Sequence, residues 1–144
     1  MKEINPIFIG NSSLLDKTTT IDECYDYLKN KGALAIDIET TRKFYKYENE
    51  GLDPYTSKIV MFQIGDKDRQ FIIDTRIIDI SKLLPILTNP DVEIIGQNLK
   101  FEYKHLLHNY GIKINNLYDT MLVEQVIYNG LNSPFAPLDS IRFL

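Results

Sequence analysis

The chain has 144 residues, of which 44% are apolar and 25% charged. That is long enough for one domain with a real core, and the balance excludes a disordered chain. The net charge of −4 excludes a surface given over to nucleic-acid phosphates, so any such contact must use a local patch or metal ions. The single cysteine, Cys24, excludes an internal disulfide, and no Cys/His cluster has the spacing of a zinc site. No apolar run reaches signal-peptide or membrane-spanning length, so a reducing, intracellular setting without a membrane partner is expected.

In chain order, the stretch NPIFIG (5–10) predicts a short strand or an arm. TTTIDECYDYLKNKG (18–32) predicts a helix, capped by Thr19 or Thr20 and ended at Gly32, because Ile21, Cys24, Tyr25 and Leu28 recur at helical spacing. ALAIDIE (33–39) predicts a strand, and the polar stretch 42–57 a loop broken by Gly51 and Pro54. KIVMFQIGD and RQFIIDT predict two strands joined by a turn around Asp66 to Asp68. DISKLLPILT predicts a short helix made irregular by Pro85, and VEIIGQ a short strand. NLKFEYKHLLHNYG predicts a helix with Asn98 as cap and Gly111 past its end. YDTMLVEQVIYNG predicts another, and SPFAPLDSIRFL the start of a last one. Strands dominate the first half and helices the second, which argues for an α/β sandwich on a mixed sheet.

The chemistry lies in the first central strand. Alternation puts Leu34, Ile36 and Ile38 on one face and Ala33, Ala35, Asp37 and Glu39 on the other. The two acids share a face about 7 Å apart. Two carboxylates aimed into one space repel each other unless a cation lies between them. Hard divalent ions prefer such oxygen ligands. An arbitrary D-x-E is more often a solvated strand end, but here an apolar run precedes the pair and threonines follow it. In the second helical stretch, Leu99, Tyr103, Leu106, Leu107 and Tyr110 make the expected core stripe. Glu102 lies beside that stripe, near the helix start, where the macrodipole favours a carboxylate. Taken alone it reads as a solvated residue, and His105 and His108 read as surface or half-buried residues rather than ligands.

Together these stretches resemble the DnaQ-like (DEDD) 3′–5′ exonucleases. AIDIETT resembles their first motif. IIGQNLKFEYKHLL resembles the second, in the form found in proofreading domains of family A DNA polymerases. LYDTMLVEQVI resembles the segment that follows it, an aspartate–threonine pair opening a helix, and EGLDPYTSKIVMFQIGD the passage between the first two strands. The likeness runs over residues 30–144. It implies a ribonuclease-H-like fold, with a central mixed sheet flanked by helices, and hydrolysis of 3′-terminal nucleotides from single-stranded DNA. It also implies two divalent ions, Mg²⁺ or Mn²⁺, held by carboxylates. Asp37, Glu39 and Glu102 would be the catalytic, metal-holding acids. Thr40, Thr41 and Asn98 would lie at the nucleic-acid end, and Phe101 beside them, more in the core than on the ligand.

Two departures qualify the likeness. The second motif usually ends in aspartate, where this chain has Glu102. The third motif, Tyr-x-x-x-Asp, is missing; the nearest string, Phe135 to Asp139, has no tyrosine and contains Pro137, so Asp139 reads as a cap or loop residue. The expectation is a single exonuclease-like domain over 1–144, with an N-terminal arm and helix over 1–31 and the first two motifs over 32–144, cut short at its C-terminus. Ile141, Phe143 and Leu144 would then expose an apolar face. A polymerase domain or a complementary chain would supply the missing motif, in a bacterial or phage-infected cell. The alternative is a non-catalytic nucleic-acid-binding or interaction module of the same fold, and a weaker one is a trimmer of RNA.

Overall fold

A computed structural model describes residues 6–11, 18–42 and 50–128. Its centre is a six-stranded mixed sheet built from β1 (Ile7–Ile9), β2 (Ala33–Arg42), β3 (Ser57–Gly65), β4 (Gln70–Asp74), β5 (Glu93–Gly96) and β6 (Leu117–Asp119). The order across the sheet is β1-β4-β3-β2-β5-β6. β2, β3 and β4 form an antiparallel meander, whereas β5 and β6 run parallel to β2, and β1 runs parallel to β4. The helices are α1 (Ile21–Leu28), the short α2 (Leu84–Leu87), α3 (Lys100–Tyr110) and α4 (Thr120–Ile127).

Strand alternation decides which face is covered. Leu34, Ile36 and Ile38 of β2 are buried, and their cross-strand partners Phe62 and Ile64 are buried with them. These side chains share one core with Cys24 and Leu28 of α1, Leu83, Ile86 and Leu87 around α2, and Leu99 and Leu106 around α3. On the opposite face Ala33, Ala35, Asp37 and Glu39 are all exposed. β2 thus carries its core and its acids back to back. Its pairing with β3 shifts register after Glu39, where Met61 is its partner, while Thr40 already faces Ile59. Val60 is the extra residue, a bulge on β3. Its carbonyl accepts the Thr75 N–H at 3.1 Å.

Several expectations are met locally. Thr20 caps α1 by accepting the Glu23 N–H at 3.2 Å. The β3–β4 turn is fastened by Asp66, which accepts the N–H groups of Asp68 and Arg69, both at 2.9 Å. Pro85 opens α2 just after a 3-10 turn over Ser81–Leu83. Gly111 ends α3 in the left-handed region at φ 69°.

Others need correction. α1 ends at Leu28, capped by Lys29, and not at Gly32. β2 runs on to Arg42, because pairing with Ser57 and Lys58 holds it extended where composition read as loop. Residues 117–119 form strand β6, hidden from a sequence reading by their brevity. Asn98 is not the cap of α3; Leu99 is, with no side-chain cap bond, and Asn98 sits at φ 56°. Leu107 of the expected core stripe is exposed. The final segment, including Phe135, Asp139, Ile141, Phe143 and Leu144, lies outside the described residues.

β5 turns into α3 through a tight contact. A Cβ on Gly96 would lie 2.4 Å from Leu99 Cδ2 and 3.1 Å from the Ile36 carbonyl oxygen. Gly96→Ala should therefore cost about 1–3 kcal/mol. A lowered urea midpoint with an unchanged slope would show it, and an unchanged midpoint would refute it.

Candidate active site

Asp37 stands on the exposed face of β2 directly across from Gln63 of β3. The Gln63 Nε2 donates to Asp37 Oδ2 at 2.9 Å, which fixes the orientation of the carboxylate. Partial desolvation raises the Asp37 carboxyl above its ordinary range, and the nearby charge of Glu39 adds to the rise. Glu39 lies two residues on, on the same face, exposed.

Glu102, in the first turn of α3, is only 4% exposed. Its Oε2 is buried without a hydrogen-bond partner among the described residues. Burial pushes the carboxyl up to about 7, against the pull of its own backbone N–H, and the charges of Asp37 and Asp119 push it further. The sequence reading of a solvated helix residue is overturned. Glu102 sits on the core side of α3 because Leu99 and Leu106, a turn on either side, anchor that side in the core.

His105, one turn further, is fully buried rather than at the surface. Its Nδ1 donates to the Phe101 carbonyl and its Nε2 faces Ser57 Oγ, both at 2.9 Å. Ser57 Oγ also lies 2.7 Å from the Asp53 carbonyl, so the imidazole ties α3 to the chain entering β3. Burial lowers its basicity. Phe101 is half-buried with its ring 4.3 Å from that of His105, in keeping with a packing role. His108 is exposed and meets the Tyr55 ring at a tilt of 57°, centroids 4.5 Å apart.

The threonines part company. Thr41 is exposed on the face of Asp37 and Glu39, beside the exposed Lys58. Thr40 points the other way, and its hydroxyl donates to the Gly51 carbonyl at 2.6 Å. Asn98 is exposed at the mouth of α3. Asp119, at the end of β6, accepts its N–H at 2.9 Å and that of Leu99 at 2.8 Å. Gln63, bonded to Asp37, and Asp119, whose charge reaches Glu102, adjoin the candidate acids and are absent from the sequence reading of the site. Asp119 had a signal in the aspartate that opens a helix; Gln63 had one in the hairpin register.

No group of three His, Cys, Asp or Glu side chains is close enough to hold a metal ion among the described residues. The donor chemistry nevertheless fits a hard divalent ion. It consists of carboxylate oxygens, and one of them is a buried orphan whose neighbours are acids.

A family model described as 3′–5′ exonuclease matches residues 14–138. The chain belongs to the 3′–5′ exonuclease family. Solved structures share its fold. Escherichia coli RNase D, an exoribonuclease involved in structured RNA processing, is similar at 20% identity and a TM-score of 0.67, over 92% of this chain and 32% of that one. Brucella melitensis NrnC bound to pGG is similar at 17% identity and a TM-score of 0.62, over 92% of this chain and 56% of that one. NrnC with bound Mg²⁺ is similar at 18% identity and a TM-score of 0.63, with 92% and 57% covered. The exonuclease domain thus spans about a third to just over half of these proteins. No curated protein matches the sequence significantly. Among the described residues, no helix is long and apolar enough to cross a membrane.

Proposed function

We propose that this exonuclease domain removes nucleotides one at a time from the 3′ end of single-stranded DNA, as a proofreading module, with divalent ions held by Asp37, Glu39 and Glu102. The observation that carries the metal reading is the buried, unpartnered Glu102 oxygen within electrostatic reach of Asp37. A lone buried carboxylate is costly, and a cation shared with its acidic neighbours would offset that cost. When bound, the ions would supply charge stabilisation at phosphorus and an activated water.

The chain's own residues prepare the place. Gln63 engages one Asp37 oxygen and holds the carboxylate on the acid face of β2. The first turn of α3 adds a favourable field for anions. Lys58 sits next to Thr41 on the acid face, where a backbone phosphate of the entering strand would be attracted. Asn98 and Thr41 offer amide and hydroxyl contacts to the terminal nucleotide.

DNA is favoured by the likeness of GQNLKFEYKHLL and YDTMLVEQVI to polymerase proofreading domains. RNA is the second reading, supported by fold neighbours named as RNase D and NrnC. The third motif bears on both. With three of the family's four carboxylates, the 144-residue chain should shorten a 5′-labelled oligonucleotide slowly or not at all. Supplied with a segment carrying Tyr-x-x-x-Asp, fused after Leu144 or added as a second chain, it should release nucleotides from the 3′ end with Mg²⁺ and stop with chelator. Parallel DNA and RNA oligonucleotides decide the sugar. A supplemented chain that binds the strand without trimming it would establish the binding-module reading instead.

A further inference from the structure

α3 begins without a cap of its own. Its N-cap residue, Leu99, contributes no side-chain bond, and Asn98 before it lies in the left-handed region. A helix start leaves several N–H groups without intrahelical partners. Here Asp119, twenty residues away, accepts two that lead into α3, from Asn98 and Leu99. The same carboxylate caps α4, accepting from Met121 at 3.0 Å and Leu122 at 3.4 Å. Its neighbour Thr120 donates to the Gly96 carbonyl at 3.1 Å, so the whole turn from β5 into α3 is held from the α4 side. Among the described residues, deep apolar packing does not do this work. α4 has no buried residue, and between α3 and α4 lies a groove of about 440 Å³ lined by Tyr103, Leu117, Leu122 and Val123 among others.

We propose that Asp119 is a positioning residue for the nuclease site: its double clamp sets the first turn of α3 and thereby places Glu102 and Asn98 against Asp37. The placement of Glu102 matters because a metal site tolerates little displacement of its ligands. The proposal rests on the reading of Glu102 as a metal-side carboxylate, so one readout of its test is independent of metal.

Asp119→Ser separates the two halves of the clamp. Serine is a good N-cap and should keep α4. Its hydroxyl is one bond shorter and should not reach Asn98 and Leu99. The expected result is an unchanged circular dichroism spectrum, amide hydrogen exchange at Asn98 and Leu99 faster by tenfold or more, and Mn²⁺ affinity by calorimetry lower by roughly tenfold. In the supplemented, trimming-competent protein, kcat should fall while KM stays. Asp119→Asn is the second variant, should the serine chain fail to fold. It keeps an acceptor for Asn98 and Met121 but turns a donor towards Leu99, so exchange should quicken at Leu99 more than at Asn98. Wild-type exchange at both amides, or wild-type Mn²⁺ affinity despite faster exchange, would overturn the proposal. If the wild-type chain itself binds no Mn²⁺, the metal reading fails. The clamp is then decided by exchange and by nuclear Overhauser contacts from the Glu102 side chain to β2, which must weaken in Asp119→Ser if Asp119 places that side chain.

Discussion

Raising the pH from 5 to 8 in chelator should destabilise the domain, and Glu102→Gln should remove most of that loss. The Glu102 carboxyl is pushed from its ordinary 4.5 to about 7 in the folded chain. Its folded form therefore prefers the proton. Below about pH 4.5 both folded and unfolded chains hold it, and the full stability is present. As the pH rises, the unfolded chain ionises first and stability falls, until the folded group has also ionised above about pH 7. The size of the shift corresponds to about 3 kcal/mol at most, or roughly 5–10 °C in Tm. Asp37, raised in the same direction, adds a smaller loss. Asp66 and Asp74 act elsewhere. Their carboxyls are lowered by hydrogen bonds and cationic neighbours, so their stabilisation fades only as pH falls below the ordinary aspartate range. Mn²⁺ added at pH 8 should restore much of the lost Tm in the wild type and little in Glu102→Gln. Parallel pH curves for the two proteins would show that Glu102 does not hold its proton in the fold.

Asp37→Ala should weaken Mn²⁺ binding by more than about a hundredfold. Loss of an outer-shell partner of a metal ligand costs about 10–100-fold, and Asp37, within electrostatic reach of both Glu39 and Glu102, would be a direct ligand. The substitution should leave the fold intact. Asp37 is exposed, and Gln63, which loses its partner, is not buried. Asp91→Ala, an exposed acid between α2 and β5, is the control and should bind as the wild type does. Equal affinity in the Asp37 and Asp91 variants would remove Asp37 from the site. In the supplemented chain, Mg²⁺-dependent trimming should disappear with Asp37→Ala and persist with Asp91→Ala.

The sequence made the two faces of β2 legible because alternation is local: Ile36 and Ile38 inward, Asp37 and Glu39 outward. It made the β3–β4 hairpin legible for the same reason, through its turn at Asp66. It misplaced Glu102 and His105, since which side of α3 faces the core depends on where β5 delivers the helix and how Gly96 lets Leu99 approach. Helical periodicity alone ranked Leu107 as core and Glu102 as solvated, and the tertiary contact reversed both. β6 escaped because three residues carry too little pattern. Asn98 looked like a cap by residue type, but the capping carboxylate came from Asp119, a partner that no local window contains.

The position of β2 also bears on how the protein is made. Its partner β3 starts at Ser57, soon after β2 ends at Arg42, whereas β5 starts only at Glu93 and α3 after that. Pairing with a distant segment must first overcome the entropy of closing a long loop. During synthesis, the meander of β2, β3 and β4 can therefore form on the ribosome while the chain beyond Asp74 is still emerging. Asp37 and Glu39 would then be exposed without Glu102. A nascent chain carries two acids side by side, and Glu102 joins them only when β5 has zipped onto β2 and α3 has docked.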